Sequence, residues 1–243
     1  LPRGPLQQPR AETLLQRRDQ PRDAGRRQAK PTRRGRKSPQ VGHSDDPNPV
    51  SVNARRTLRL GADEVNAMQP APLFAVFLGD LVNVFDDASV ANFEQCLSGL
   101  KPAPVLVHGN HDTRPPFDGF RALMGRVCGF DAVCYSFDAG NWHLIVLPCN
   151  LTGANAAFSQ AAQEVFAWLE ADLAANSRKP TMVFNHLHLM PQGLSQLEWY
   201  CFPLEMRRRL LDLFARHGNV QFYFNGHVHN GIKASVKTSW QYQ

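Results

Sequence analysis

Carboxylate, amide and imidazole side chains recur in this chain at one kind of place, just after a short apolar run. Phe77-Leu78-Gly79 leads to Asp80, with Leu81-Val82-Asn83 beyond it. Val105-Leu106-Val107-His108 leads to Gly109-Asn110-His111-Asp112. Thr181-Met182-Val183-Phe184-Asn185 leads to His186, and Val220-Gln221-Phe222-Tyr223-Phe224 leads to Asn225-Gly226-His227-Val228-His229. Such runs read as buried strands. In an α/β protein the carboxyl ends of strands are where sites are usually built. The four runs therefore bring Asp, Asn-His-Asp, His and His-x-His toward one rim.

The residue types define the chemistry. Carboxylate, amide oxygen and imidazole are borderline-to-hard ligands, suited to Mn, Fe or Zn rather than to thiolate-bound metals. A carboxylate can bridge two ions about 3.5–4 Å apart, and such a pair activates water and clamps a phosphoryl group. A His beside a ligand Asn, backed by an Asp, suits a proton donor or charge stabiliser at a leaving oxygen. Each residue alone has a simpler reading. A strand-end Asp is often a turn former or helix cap, and a lone His is often a satisfied core or surface residue. The ordered set carries the metal reading.

The elements between these positions follow a βαβ rhythm, which implies a largely parallel sheet covered by helices. Ser51 is the expected cap of a helix from Val52 to about Met68, with Leu58, Ala62 and Val65 on one face. Gln69-Pro70-Ala71-Pro72 stops it before a strand from Leu73 to Leu78. A helix over Ser89 to Leu97 is expected to end at Gly99, and a short one covers Phe120 to Met124. Ala132–Phe137 and Trp142–Leu147, split by Asp138-Ala139-Gly140-Asn141, read as an antiparallel hairpin. Ser159 to about Ala175 forms a helix with Ala162, Val165, Phe166, Leu169 and Leu173 in one stripe. Leu204 to about His217 forms another, with Met206, Leu210, Leu213 and Phe214 inward and Arg207-Arg208-Arg209 outward as a solvated face.

The chain has 243 residues, long enough for one large or two small domains. Its net charge of +6 is unevenly spread. Residues 1–40 hold 12 Lys and Arg against 3 Asp and Glu, a balance of +9; the rest holds 15 against 18, a balance of −3. This Arg/Pro/Gln-rich leader has no hydrophobic period and reads as disordered. It lacks aromatic residues for stacking, so a solvated tail, or residues that are not the native start of the domain, is favoured over a nucleic-acid arm. It has no apolar centre for a signal peptide, and no run approaches the ~18 apolar residues of a membrane span. The 5 cysteines, Cys96, Cys128, Cys134, Cys149 and Cys201, form no CxxC pair. Free, mostly buried thiols in a reducing, cytoplasmic setting are expected. The sequon at Asn150-Leu151-Thr152 is taken as chance.

Together, Gly79-Asp80, Gly109-Asn110-His111-Asp112, His186 at a strand end and Gly226-His227-Val228-His229 resemble the calcineurin-like metallophosphoesterase family, over about residues 41–235. The segments between them, including Tyr135-Ser136-Phe137, Leu144-Ile145-Val146 and Trp168-Leu169-Glu170, are similar to the branch that contains bacterial cyclic-nucleotide phosphodiesterases. The resemblance implies a two-sheet α/β sandwich with flanking helices. It implies that Asp80 bridges two divalent ions (Mn, Fe, Zn or similar), that Asn110, His186 and His227 complete the second ion's site, and that His229 serves the first. His111, oriented by Asp112, would meet the phosphate and the leaving group while a metal-bridging hydroxide attacks phosphorus. The implied substrate is a small-molecule or nucleotide phosphoester, a cyclic nucleotide or another phosphodiester, with monoesters left open. His188 departs from the family's His-His-Pro and takes a supporting role. His108 and Asn185 are candidate partners of the ligands, while His43, His143 and His217 read as structural.

One motif of the family is missing. Its opening strand ends in Asp-x-His, which occurs nowhere in this chain. The place for it lies just before Val41, where Ser38-Pro39-Gln40 stands. The domain at 41–243 is therefore expected to be truncated at both ends, without the first strand and the C-terminal strands. The first ion keeps Asp80 and His229, so this chain holds two ions or only one. Asp45 and Asp46 are poorly spaced to replace the missing ligands. The readings carried forward are a phosphoester hydrolase, an impaired remnant that binds one metal or phosphate, and a nucleic-acid binder acting through the leader. Oligomeric state is unassigned.

Overall fold

The computed structural model describes residues 49–113, 117–149, 160–189, 202–227 and 233–236. The leader at 1–40, His43, Asp45, Asp46, the sequon, Cys201 and His229 lie outside these residues.

Helix α1 (Pro49–Ala67) begins with Pro, so Ser51 lies inside its first turn and is not the cap. Proline suits that start, because its missing N–H would have no helical partner there. Strand β1 (Phe74–Phe77) follows the Pro-rich stop. Helix α2 (Asp87–Leu97) starts two residues before the expected Ser89. The Asp86 carboxylate accepts the Ser89 N–H at 2.7 Å, capping its first turn. Its C-cap is Ser98, and Gly99 does not take the left-handed conformation expected of a capping glycine. Strand β2 (Ala103–Leu106) and helix α3 (Asp118–Val127) complete the first half.

Strands β3 (Tyr135–Ala139) and β4 (Trp142–Val146) form the expected hairpin, closed by Gly140-Asn141 with Gly140 at φ 60°. Helix α4 (Gln160–Ala175), β5 (Thr181–Phe184), α5 (Leu204–His217), β6 (Val220–Asn225) and β7 (Lys233–Val236) follow.

Among the described residues the strands form two sheets, a parallel pair β1-β2 and a five-stranded sheet β3-β4-β5-β6-β7. In the larger sheet β4, β5 and β6 run parallel, and the edge strands β3 and β7 are antiparallel to their neighbours. Alternation along the strands separates two cores. Ile145, Val183 and Tyr223 face α4 and α5. Tyr135, Phe137, Leu144, Val146 and Phe184 face the β1-β2 pair with α2 and α3. Contacts between the layers include the Tyr135 hydroxyl, which donates to the Leu106 carbonyl at 3.0 Å, and Phe74, which meets Phe137 edge-on. This is the two-sheet α/β sandwich with flanking helices. The apolar stripe of α4 is buried as its spacing requires.

The arginine triplet on α5 is not a solvated face. Arg207 is buried, and the Arg209 guanidinium lies 4.1 Å from the Phe166 ring centroid; only Arg208 is exposed. Arg207 stands three, four and seven residues before Leu210, Leu211 and Phe214, so helical geometry puts it on their inward face. The four described cysteines are buried free thiols. No described helix is long and apolar enough to cross a membrane.

A polar network crosses the hairpin and α4. His143 bonds Asp138 at 2.8 Å through Nδ1 and Asp172 at 2.6 Å through Nε2, Ser136 donates to Asp172 at 2.9 Å, and Lys179 reaches Asp138 at 2.6 Å. Burial works against a charge on His143, but the two carboxylates outweigh it and raise its pKa above the ordinary value of 6.5. A raised folded-state pKa stabilises the fold fully below the unfolded pKa and loses that contribution as pH climbs through the folded one. Thermal melts of the wild type and His143→Gln are expected to differ by about 1–3 kcal/mol at pH 6. The gap should close as the pH is raised toward 9, and a gap independent of pH would contradict the charged pair.

Candidate metal centre

Asp80 follows β1, Asn110 follows β2, His186 follows β5 and His227 follows β6. Parallel pairing of β1 with β2 and of β5 with β6 brings their carboxyl ends to one edge. There the His186 Nε2 stands 3.0 Å from Asn110 Oδ1, 3.1 Å from Asp80 Oδ2 and 3.1 Å from His227 Nδ1. The ligand atoms of Asp80, His186 and His227 all lie within 4.8 Å of one another. Four of the five residues expected to bind metal are thus brought together.

The donor set fits a divalent cation. His186 Nδ1 lies 2.7 Å from the Leu78 carbonyl, which can only accept, so Nδ1 carries the proton. The remaining nitrogen of a neutral ring is a lone pair, and it faces a carboxylate, an amide oxygen and another imidazole nitrogen. One proton at Nε2 would serve one of these three. A cation would serve all of them. Ligand atoms about 2.1 Å from one ion stand roughly 3–3.5 Å apart, close to the spacing of Nε2 from each of the other three atoms.

The backbone is bent to achieve this. Gly79 has φ 85°, and the next residue, Asp80, has φ 50°; His227 has φ 71°. Left-handed non-glycine residues cost roughly 1–3 kcal/mol each and gather at functional sites. A Cβ on Gly79 would lie 2.6 Å from His186 Nδ1, and one on Gly109 would lie 2.0 Å from the Asp80 nitrogen. Glycine alone lets the two loops and the imidazole approach this closely.

Asp112 does not hold His111. Its Oδ1 accepts from the Leu81 and Val82 amides at 2.8 and 3.4 Å, and its Oδ2 accepts from the Gly109 amide at 2.7 Å. The expected orienting role is corrected accordingly: Asp112 lashes the Asp80 loop to the Asn110 loop. The backbone turn from Gly109 to Asp112 aims this carboxylate inward while His111 points out. Burial and the nearby Asp80 charge push the Asp112 pKa up to about 6 against the pull of the three amides. His111 is exposed, its backbone N–H donates to Asp80 Oδ1 at 3.0 Å, and its Nδ1 donates to the Asn83 carbonyl at 2.8 Å. Asn83 is the orienting residue the sequence reading missed. It acts through a backbone carbonyl, which every residue possesses, so no side-chain signal announced it. Burial disfavours charge on Asp80, yet a proton at His186 Nε2, together with the His111 amide, outweighs it and holds the carboxyl below the usual value.

Two supports flank His186. Asn185 is fully buried, donates to the Leu147 and Pro148 carbonyls and accepts the Leu187 amide at 2.7 Å. The Tyr223 hydroxyl donates to the Leu187 carbonyl at 2.9 Å. Asn185 therefore braces the turn that follows His186. His188 is buried two residues beyond the ligand, His143 belongs to the separate carboxylate network, and His217 sits in the last turn of α5. Burial drives the His108 pKa down to about 4.

The model of the calcineurin-like phosphoesterase family matches residues 53–231. The chain belongs to that family. It is 30% identical over 169 residues to the glycerophosphodiester phosphodiesterase GpdQ of Enterobacter lignolyticus, covering 69% of this chain and 59% of that protein. It is 25% identical over 157 residues to the 3',5'-cyclic adenosine monophosphate phosphodiesterase CpdA of Escherichia coli, covering 65% and 54%. It is 28% identical over 178 residues to the serine/threonine-protein phosphatase CPPED1 of Danio rerio, covering 68% and 56%. The chain spans between half and two thirds of the length of these curated relatives.

Gly109→Ala tests the loop packing. The added methyl meets backbone atoms and cannot be accommodated by a side-chain shift. Affinity for Mn²⁺, measured by calorimetry, is expected to fall about 10–100-fold while far-UV circular dichroism is unchanged. Wild-type affinity in this variant would rule out the close approach.

Proposed function

We propose that this chain is a metal-dependent phosphodiesterase whose ion is held by Asp80, Asn110, His186 and His227. The observation that carries the reading is the convergence of Asp80 Oδ2, Asn110 Oδ1 and His227 Nδ1 on His186 Nε2 in a member of the calcineurin-like phosphoesterase family. His229, outside the described residues, is assigned by the same reading to a second ion. The relatives named for glycerophosphodiesters and cyclic nucleotides support a small phosphodiester, a cyclic nucleotide or similar, as the substrate class. The buried free thiols suit a reducing, cytoplasmic setting.

When bound, the divalent ion supplies Lewis acidity toward a phosphoryl oxygen and lowers the pKa of water. The residues of the chain do the rest. Asp80 brings negative charge to the ion, and Asn110 and the two imidazoles fix its position. Asp112 keeps the Asp80 and Asn110 loops in register. His111 gives its Nδ1 proton to the Asn83 carbonyl and has Nε2 available at an exposed position, suited to holding a proton at the leaving oxygen.

The second reading is a protein that binds one ion at the Asp80, His186 and His227 cluster without turnover. Bis(p-nitrophenyl) phosphate hydrolysis with added Mn²⁺ separates the two. The full chain is expected to turn it over. His111→Gln should lower kcat about 10²–10⁴-fold with Mn²⁺ affinity retained. Mn²⁺ binding without turnover of this diester or of 3',5'-cyclic nucleotides would establish the second reading, and absence of Mn²⁺ binding would remove both.

A further inference from the structure

His108 precedes Gly109 and is fully buried, yet it contributes nothing to the ligand cluster. Its Nε2 lies 2.7 Å from the Thr113 carbonyl, at the far end of the loop that carries Asn110 and His111. A carbonyl only accepts, so Nε2 is the protonated nitrogen. Nδ1 is then an acceptor, and the Sγ of buried Cys149 stands 3.4 Å from it as donor. The Phe117 and Phe120 rings pack edge-on at 4.8 and 5.0 Å. One imidazole thus joins the exit of β2, the end of the loop, the start of α3 and the exit of β4.

We infer that His108 is a positioning residue: with Cys149 it clasps the Gly109–Thr113 loop from behind and so sets where Asn110 and His111 stand. Asp112 secures the inner side of the same loop through the Gly109, Leu81 and Val82 amides. Between them the two side chains leave the loop little freedom on either side. The order of the bonds, thiol to imidazole to carbonyl, also gives the clasp a direction. A residue at 108 must donate forward to Thr113 while accepting from Cys149. An apolar residue of similar bulk fills the space but does neither. A glutamine amide reaches about as far as Nε2 and can donate to Thr113.

The consequence for turnover rests on the proposed phosphodiesterase reading, but the clasp itself can be read without it. His108→Leu, His108→Gln and Cys149→Ala in the full chain are compared by amide hydrogen exchange over residues 109–113, by Mn²⁺ affinity, and by kcat and KM for bis(p-nitrophenyl) phosphate. In His108→Leu, exchange over 109–113 is expected to quicken at least about tenfold relative to the β4 and β5 amides. Mn²⁺ affinity should fall about 10–100-fold, and kcat should fall more than KM rises. His108→Gln should recover most of each. Cys149→Ala should quicken the same exchange to a smaller extent, which keeps the test decisive if His108→Leu fails to fold. Wild-type exchange in Cys149→Ala, or a folded His108→Leu with wild-type exchange and affinity, overturns the inference. So does a His108→Gln as impaired as His108→Leu. A wild type that neither binds Mn²⁺ nor hydrolyses the diester refutes the phosphodiesterase reading, while the exchange data still decide the clasp.

Discussion

Four polar side chains, Asp80, Asn110, His186 and His227, crowd one point, and a fold that brings them together must supply the restraint. Here the restraint begins with one hydrogen bond, from His186 Nδ1 to the Leu78 carbonyl, between residues 108 apart in the chain. It fixes the tautomer of His186 and aims the bare Nε2 at Asp80, Asn110 and His227. It also joins the exit of β5 to the exit of β1, and therefore the larger sheet to the smaller. The remaining local features serve that apposition. Gly79 and Gly109 allow close approach, Asp80 and His227 accept left-handed backbone, Asn185 and Tyr223 brace the turn behind His186. Strain of this kind persists where the surrounding structure over-determines it, and the hydrogen bonds that tie these turns to neighbouring strands do so here.

The same residue types give the opposite result elsewhere in the molecule. At the hairpin, His143 lies between Asp138 and Asp172 with both ring nitrogens bonded to carboxylates. That imidazole is satisfied and joins two elements. His186 has one nitrogen bonded to a carbonyl and the other facing a carboxylate, an amide oxygen and another imidazole nitrogen. A third imidazole, His108, is satisfied by a thiol and a carbonyl. What a histidine does in this protein follows from what its second nitrogen faces, and that is a property of the assembled structure.

Separation of roles around the Asn110 loop follows similar logic. A carboxylate with both oxygens taken by amides is a good strut and a poor partner for a catalytic imidazole. Asp112 is that strut, and His111 is left to a backbone carbonyl from the neighbouring loop. The arrangement keeps His111 exposed at the edge of the site while Asp112 ties the loop beneath it to its neighbour.

The sequence by itself determined the strands, the amphipathic helices and the strand ends at which carboxylate, amide and imidazole groups gather, because alternation and helical period are local properties of neighbouring residues. The stripe on α4 and the apolar runs before Asp80, Asn110, His186 and His227 were legible for that reason. Motif order also disclosed the family. Only the tertiary structure decided which contacts are made across the chain. Asp112 binds amides rather than His111, Arg207 turns inward, and the Asn83 carbonyl orients His111. His108 reaches across the loop to Thr113. Each depends on the direction of a side chain or on a backbone group that carries no residue-specific signal, and such directions are set only when distant strands pack together.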